Sequence, residues 1–464
     1  MHLHLLVLSL ILMATIAAMR PPAAAGVQSL LTLPPRMRSN VPGTWAYDTM
    51  SRRVLENILP RIIEDNADML GQPNNALFAE SFLLLNDLKS SLECGRTGFL
   101  RPIVDAGPDQ DEWNKILGAI PEAERNWLDA PWVISEFYFY RRVVEAFKFF
   151  DSRYDPFVKD KVRGLTEALR SIEDIASKLP SLLDPKYTHG LEAIEVALHL
   201  SLWGNKMDLS LWPSAKDPKG GTAQATGSVA EAGKISYGAA LAAGRPHILD
   251  DKTAEVVSHL SKAKGRIDVI VDNAGYELVS DFLLGYIFLK LGIATEVVFH
   301  TKGHPTFVSD ATTLDCISTI NFLKDATDKE GNIFQHTSAF AAELEEFVSA
   351  GKFSFIDDLF WCQPTSMWDM PSRIESRLSG SLLTLVKGDA NYRRLLGERE
   401  WPLDTPSAEV LNYWPVPVCA LRTFKAEIGC GIDEAAQRRA SQADDKWMVS
   451  GKWGVVSCML NPRL

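Results

Sequence analysis

The stretch GRIDVIVDNAGYELVSD, Gly265 to Asp281, is an apolar run that stops abruptly at an acid, an amide and a glycine before a helical pattern begins. Ile267, Val269 and Val271 are β-branched, and the run is short and bounded by Gly265 and Gly275, which favours a buried strand over a helix. The spacing predicts a strand ending at Asp272, a tight turn, and a helix from about Tyr276 to Leu291. Asp272 and Asn273 then fall at the carboxyl end of the strand. In open α/β sheets ligands bind at that edge, where strand ends and helix N-termini converge.

Around this unit the pattern alternates. A helix over about Asp251 to Lys264 precedes the strand and a second strand follows from Ala294 to His300, giving a βαβ rhythm. The next polar turn holds His304, Pro305 and Asp310 and leads into a helix through Phe322. Further strands are predicted at Leu382 to Val386 and Val418 to Leu421, ending in KGDANYRRLL and RTFK. Upstream, Trp45 to Asn66 has apolar residues at helical spacing, with Pro60 expected to kink or break it. Helical patterns over Phe78 to Leu92, Glu136 to Phe150, Lys159 to Leu179 and Leu191 to Leu202 make the N-terminal region helical, with Gly204 and Asn205 as a stop. Asn205 and Asp208 read as turn or capping residues. The aromatic stripe FYFYRR reads as core, and Arg141 and Arg142 as a solvated face without a catalytic role. Between Pro213 and Gly233 the composition shifts to Pro, Gly, Ser, Ala and Lys, as in a loop or interdomain connection. The division is an extension over 1–34, a helical region over 35–212, a loop over 213–234 and an α/β domain over 235–464.

At 464 residues the chain exceeds the roughly 250 to 300 at which single cores stop growing. A net charge of -11 argues against binding nucleic acid or an anionic membrane through a basic surface, and leaves a local basic pocket for a phosphorylated ligand. The six cysteines are scattered without a CxxC pair, so neither a zinc ribbon nor a disulfide scaffold is indicated. Leu5 to Ala18 resembles the h-region of a secretory signal and Ala23 to Ala25 a cleavage region, yet no Lys or Arg precedes it. The segment reads as a signal-like leader or as an upstream start outside the folded protein, and it is shorter than the about 20 residues of a membrane span.

Two constellations carry chemistry. Asp272, Asn273 and Asp310 offer hard oxygen donors that suit Mg or Mn and leave positions for water and substrate oxygens. Singly each also serves as an Asx turn or cap, but two strand-to-helix turns of one sheet can converge on one ion. The second constellation is basic: Lys387, Arg393, Arg394, Arg422 and Lys425 surround two predicted strand ends. Such groups hold phosphate oxygens by charge-assisted hydrogen bonds, and a divalent ion opposite would complete an electrostatic clamp. Lys387 and Arg394 also fit as ordinary surface charges; Lys425, beside a buried strand, fits that reading less well.

VDNAGYELVSD (Val271 to Asp281), KGDANYRRLL (Lys387 to Leu396) and LRTFKAEIG (Leu421 to Gly429) resemble the damage-control phosphatase family, once a domain of unknown function. The RTxK motif at Arg422 to Lys425 is similar to a branch described both as metal-dependent sugar-phosphate phosphatases and as protein-glutamate carboxyl methyltransferases. WAYDTMSRR, FYFYRR, LWGNKMDLSL and WCQPTSMWDMP are further similar phrases, so the resemblance runs from about Pro35 to the C-terminus. It implies a Rossmann-like α/β domain with an N-terminal all-helical region, and a metal ion (Mn, Ni, Co or Mg) on Asp272, Asn273 and Asp310. It also implies that Glu277, Asp389, Asn391, Tyr392, Arg393 and Lys425 contact the substrate or its phosphate, with Asp272 and Lys425 as the catalytic pair. Tyr276 and Ala390 depart from the family's pattern at positions without chemistry.

The leading reading is a divalent-metal-dependent phosphatase for small phosphorylated metabolites such as fructose 1-phosphate or fructose 6-phosphate, with Asp272 as ligand alone or also as nucleophile. Three rivals are a methyltransferase using S-adenosylmethionine, a short-chain dehydrogenase and a sugar-phosphate-binding protein without turnover. No GxGxG turn follows an acidic strand to cradle the first rival's cofactor. For the second, GRIDVIVDNAG and Tyr286 to Lys290 echo NNAG and YxxxK, but the Gly-rich turn is absent upstream and the tyrosine follows too closely. The expected partner is a small phosphorylated metabolite, with no nucleic acid and no stable membrane association, and the expected location is cytoplasmic, a signal-like leader leaving secretion open. Every proposed site residue lies beyond the extension, so deleting residues 1–34 is expected to preserve phosphate release; loss of activity in a folded truncated protein would contradict this.

Overall fold

The run at Gly265 forms the strand that its β-branched residues predict, and it lies at the centre of a seven-stranded sheet. In the computed structural model the described residues are 33–70, 80–184, 190–204, 241 and 244–462. The expected leader over 1–25 and loop over 213–234, together with Asn205 and Asp208, lie outside them. The strands are β1 Ile248–Asp251, β2 Gly265–Ile270, β3 Ala294–Lys302, β4 Phe353–Asp358, β5 Leu383–Lys387, β6 Val418–Thr423 and β7 Gly454–Met459. Their order is β1-β7-β6-β5-β2-β3-β4, and all neighbours are parallel except β6 and β7. From β2 the chain moves outward through β3 and β4, then returns to the other side of β2 for β5, β6 and β7. The carboxyl ends of β2 and β5 therefore form the topological switch point, where such sheets open a crevice.

The expected α/β class holds. Pattern reading did not find β1, β4 or β7. β1 has four residues, and β4 is half-buried on an edge and ends in acids, so neither shows the apolar run that marks a buried strand. β2 is buried on both faces: Ile267, Val269 and Val271 join one core and Ile270 the other, as the two-residue strand period requires.

The first core holds the N-terminal helices, with helix α1 (Trp132–Ala146) at its centre. The second is covered by α2 (Val158–Leu183), α3 (Gly190–Trp203), α4 (Tyr276–Lys290), α5 (Thr313–Lys324) and α6 (Gln335–Ser349). Thus α2 and α3, grouped by sequence with the helical region, share the second core with the sheet's own helices. No helix among the described residues is long and apolar enough to cross a membrane.

Pro60 does not break its helix. A ten-residue π-helical stretch, Thr49–Ile58, runs into Leu59–Asp65, with Pro60 in the first turn of the latter. The Leu59 amide bonds back to the Val54 carbonyl, so the wider turn reaches the first turn of the next segment, where a missing proline N–H costs little.

Helix α1 corrects the reading of its arginines, because every one of its residues is buried. Arg141 makes two bidentate pairs, to Asp105 at 2.7 Å and to Asp109 at 2.8 and 2.9 Å. Arg142 pairs with Asp87 at 3.0 Å and Glu145 at 2.8 Å. Helical periodicity could not place carboxylates that come from other elements. Removing one partner of a buried pair leaves a charge uncompensated, which costs about 3 to 5 kcal/mol. Asp109→Ala is therefore expected to destabilise the protein by about 3 kcal/mol or more, read as a lower urea midpoint; an unchanged midpoint would show that Asp105 alone suffices.

Candidate active site at the sheet switch point

β2 delivers Asp272 and Asn273 to the sheet edge, and Gly275, with φ of 74°, turns the backbone into α4. β3 runs beside β2, and the loop after it brings Ser309 and Asp310 back against the same turn. Asn273 and Asp310 form an isolated antiparallel bridge, closed by Ala274 N–H to Ser309 O at 2.7 Å and Ala311 N–H to Asp272 O at 2.8 Å. The loop enters this bridge through Phe307 and Val308, both in the left-handed region with φ of 47° and 65°. Such a conformation costs on the order of 1 to 3 kcal/mol per residue. The Phe307 ring is held 4.6 Å from both Phe137 and Tyr140 of α1, so packing offsets the strain.

The donor atoms are buried and only partly satisfied. Asp272 and Asp310 are 6 % and 1 % exposed. Asn273 Nδ2 donates to Asp272 Oδ2 and to Glu277 Oε2, each at 2.8 Å, and Ser309 Oγ donates to Asn273 Oδ1 at 2.5 Å. Asp272 Oδ1 has no hydrogen-bond partner, and Asp310 Oδ2 has only the Lys302 ammonium at 3.2 Å. Burial raises the proton affinity of both acids; for Asp272 the neighbouring Asp310 and Glu277 carboxylates add to it, while Lys302 and Lys425 oppose it. Two desolvated carboxylates call for a cation, and an unpartnered oxygen beside an amide and a second acid is a hard-donor set that fits Mg or Mn. The described residues contain no cluster of three or more His, Cys, Asp and Glu arranged to hold a metal; the third oxygen beside the two acids is the side-chain amide of Asn273.

β5 supplies the opposite wall. Gly388, with φ of 83°, leads into α7 (Asp389–Leu395), and a Cβ on it would stand 1.9 Å from Asp272 Oδ2. Only glycine lets the two turns close on each other. Arg422, at the end of β6, donates to Asp389 Oδ1 at 2.8 Å, and the Lys425 amide reaches the same oxygen at 3.2 Å. The Lys425 side chain is exposed and has no ion pair among the described residues.

A cavity of about 430 Å³ joins Asp272, Asn273, Asp310, Asp389, Arg393 and Lys425. Glu277, Asn391 and Tyr392 do not line it. Glu277 holds Asn273 and Lys387; Asn391 Oδ1 accepts from Lys302 at 3.0 Å while its amide donates to the carbonyls of Val271 and Lys387. Tyr392 is buried beneath the Arg422 guanidinium, 4.5 Å from its ring.

The basic constellation is only partly a site. Lys387 is buried on Asp281 at 2.7 Å, Glu277 at 3.2 Å and the Ser201 carbonyl at 2.8 Å. Arg394 points to the carbonyls of Thr365 and Trp361, and burial lowers its pKa to about 9. Arg393 does face the cavity, clamped by Glu136 and Glu398 and stacked 3.6 Å over Trp132.

Cavity residues that the sequence did not single out include Arg53, Trp132, Glu136 and Tyr140, besides Phe307 and Ser309 of the loop after β3. Arg53 has no carboxylate partner among the described residues; it lies 4.2 Å over the Trp45 ring and donates to Thr49 Oγ1. Arg53, Glu136 and Tyr140 fell within predicted helices and Trp132 in no predicted element; Arg53 lies in WAYDTMSRR and Tyr140 in FYFYRR, the family-like phrases, while Trp132 and Glu136 had no such signal. Tyr286 and Lys290, the YxxxK echo, both contact Glu343 on α6, at the far end of α4 from Asp272, so they form no dehydrogenase site.

Named relatives are similar to the chain over most of its length. Proteins named damage-control phosphatase ARMT1 match from Macaca fascicularis (30% identical over 450 residues, 89% of this chain and 96% of the relative) and Homo sapiens (29% over 448 residues, 89% and 96%). The Danio rerio protein of that name is 29% identical over 460 residues, 91% of this chain and 97% of the relative. A solved DUF89 family protein from Pyrococcus horikoshii is similar at a TM-score of 0.39 and 15% identity, covering 84% of this chain and 98% of that one. The family pattern described as the damage-control phosphatase ARMT1-like domain matches residues 52–440, and the chain belongs to that family.

Proposed function

We propose that this phosphatase-family enzyme hydrolyses small phosphorylated metabolites with the help of a divalent metal ion, fructose 1-phosphate and fructose 6-phosphate being the leading substrates. One observation carries the reading: a buried, unpartnered carboxylate oxygen of Asp272 sits with Asn273 and Asp310 on one wall of the cavity that Lys425 lines. Asp272, Asn273 and Asp310 would hold the ion, which when bound neutralises phosphoryl oxygens and makes phosphorus more electrophilic. Lys425 places its unpaired ammonium on the same phosphoryl group, and Arg53 adds a second cation at the wall. Asp389 fixes the Lys425 backbone and offers its remaining oxygen to a substrate hydroxyl. Arg393 lies along the cavity as a wall held by two glutamates. Glu277, Asn391 and Tyr392 act one layer back: Glu277 orients Asn273, Asn391 orients Lys302, and Tyr392 supports Arg422. In the reaction a water oxygen attacks phosphorus, the bond to the sugar oxygen breaks, and the proton ends on that leaving oxygen.

Metal-stripped protein resupplied with Mn, Ni, Co or Mg in turn is expected to release phosphate from fructose phosphates only with an ion; equal release in chelator would remove the metal from the reading. Asp272→Ala or Asp310→Ala is expected to abolish metal binding and turnover with a native-like melt, because a methyl group replaces an oxygen ligand. Turnover at the wild-type rate in either variant would contradict the ligand set. Lys425→Ala is expected to lower kcat on the order of 100-fold or more, the cost of losing one donor to a transition-state oxyanion. A change in KM alone would place Lys425 on the sugar instead.

A further inference from the structure

The six cysteines are scattered along the sequence and are free thiols in this structure. The sheet brings two of them face to face. β6 and β7 pair antiparallel, and their register sets Cys419 directly opposite Cys458. The hydrogen bonds decide what kind of position this is. Phe424 N–H donates to the Trp453 carbonyl at 2.8 Å, one step beyond the Thr423–Gly454 pair, which makes Phe424 and Trp453 a hydrogen-bonded pair. Hydrogen-bonded and non-hydrogen-bonded pairs alternate along an antiparallel ladder, and the register runs without a shift from Thr423–Gly454 to Val418–Met459. Counted back from Phe424, Cys419 and Cys458 occupy a non-hydrogen-bonded pair. There the Cα atoms stand about 4.5 Å apart and the side chains approach most closely. A disulfide spans roughly 4.4 to 6.8 Å between Cα atoms, so the two strands need not move to accept one.

Strand alternation puts both thiols on one face. Cys419, Leu421, Val456 and Cys458 lie in the second core, whereas Val418, Ala420, Val455 and Met459 lie in the first. Burial raises the proton affinity of both thiols, Cys458 being pushed up to about 12, and for Cys419 the neighbouring Cys458 adds to the effect. Because the thiolate is the attacking species, exchange within the closed sheet is slow and begins where the sheet opens. β1 pairs with β7 at Gly454 and Val456, so further along, at Cys458, β6 is the one strand partner among the described residues. Cys458 is also 7 % exposed, against 0 % for Cys419. A reagent from solution therefore meets Cys458 first.

We infer that Cys419 and Cys458 form a reversible cross-strand disulfide site, oxidised by a small-molecule disulfide. The Cys458 thiol loses its proton and its sulfur attacks one sulfur of the oxidant; the oxidant's S–S bond breaks, and the half that leaves takes up a proton. Cys419 then loses its proton, attacks the Cys458 sulfur of this mixed disulfide and releases the other half as a second thiol. The protein gives up two electrons and two protons, and the oxidant becomes two thiols. A Cα spacing at the short limit of the disulfide range strains the bond and makes it easy to reduce, so the link is a switch and not a permanent staple. It ties the start of β6 to the end of β7 and closes a loop that contains Arg422 and Lys425.

Oxidised glutathione is the probe. The full chain is treated with it, remaining thiols are alkylated in denaturant, and an unreduced tryptic digest is read by mass spectrometry. Cys419, Cys430 and Cys458 fall on separate tryptic peptides, 400–422, 426–438 and 453–463. The first and last are expected to be joined with the loss of two hydrogens and to separate in dithiothreitol. The oxidised protein is expected to melt a few degrees above the reduced one, because a cross-link restrains the unfolded chain. Cys419→Ala is expected to retain a glutathione on Cys458, and Cys458→Ala to keep Cys419 as a free thiol, an order that indiscriminate oxidation would not produce. A parallel sample in urea below the unfolding transition opens β7, so slow entry of the oxidant is not mistaken for a missing pair. Peptides 400–422 and 453–463 alkylated in both samples, or joined to 426–438 instead of to each other, overturn the inference. None of these readouts uses turnover, so the outcome is independent of the phosphatase reading.

Discussion

Two acid side chains, Asp272 and Asp310, are removed from water at the edge of one sheet, and the surrounding architecture compensates for their burial. Desolvating a carboxylate costs several kcal/mol unless charge and hydrogen bonds replace the lost water. Lys302 provides one counter-charge from within the fold, and Asn273 provides a donor to Asp272. What they leave without a partner is Oδ1 of Asp272. The Asn273–Asp310 bridge keeps the acids together, and the left-handed pair Phe307 and Val308 is strained to allow it.

The second layer explains why the site needs so many buried charges. Glu277, Lys387 and Asp281 form a chain behind Asn273, and Lys302 with Asn391 forms another behind Asp310. Each member is held by at least two partners, so the groups facing the cavity have little freedom to reorient. Such preorganisation is what electrostatic catalysis requires, because the dipoles are already in place when charge develops. The sheet alone could not supply it: α1 closes the cavity with Trp132, Glu136 and Tyr140, and Glu136 fixes Arg393 across the interface between the helical layer and α7.

Much of this was legible along the chain. The β-branched run at Ile267 to Val271 marked a buried strand, its end marked Asp272 and Asn273, and the same rhythm placed β3, β5 and β6. The misreadings share a cause. Arg141 and Arg142 looked like a solvated face because their carboxylates, Asp87, Asp105 and Asp109, lie far away in sequence, and Lys387 looked available for phosphate because nothing nearby announced Asp281 and Glu277. Pairing across sequence distance has no periodic signature.

By itself the sequence determined the α/β class, the strand that presents Asp272, and the order of motifs that mark the family, since local steric preference and the two-residue alternation of a strand act between near neighbours. Tertiary structure alone decided which polar residues face the cavity. Asp389, Arg393 and Lys425 do, while Glu277, Asn391 and Tyr392 stand behind the wall, although all were candidates of similar chemistry. It also decided that Trp45 and Arg53, hundreds of residues upstream, line the same cavity as Lys425. The physical reason is that exposure and partnership depend on which elements pack together in space, and at the switch point those elements come from opposite ends of the chain.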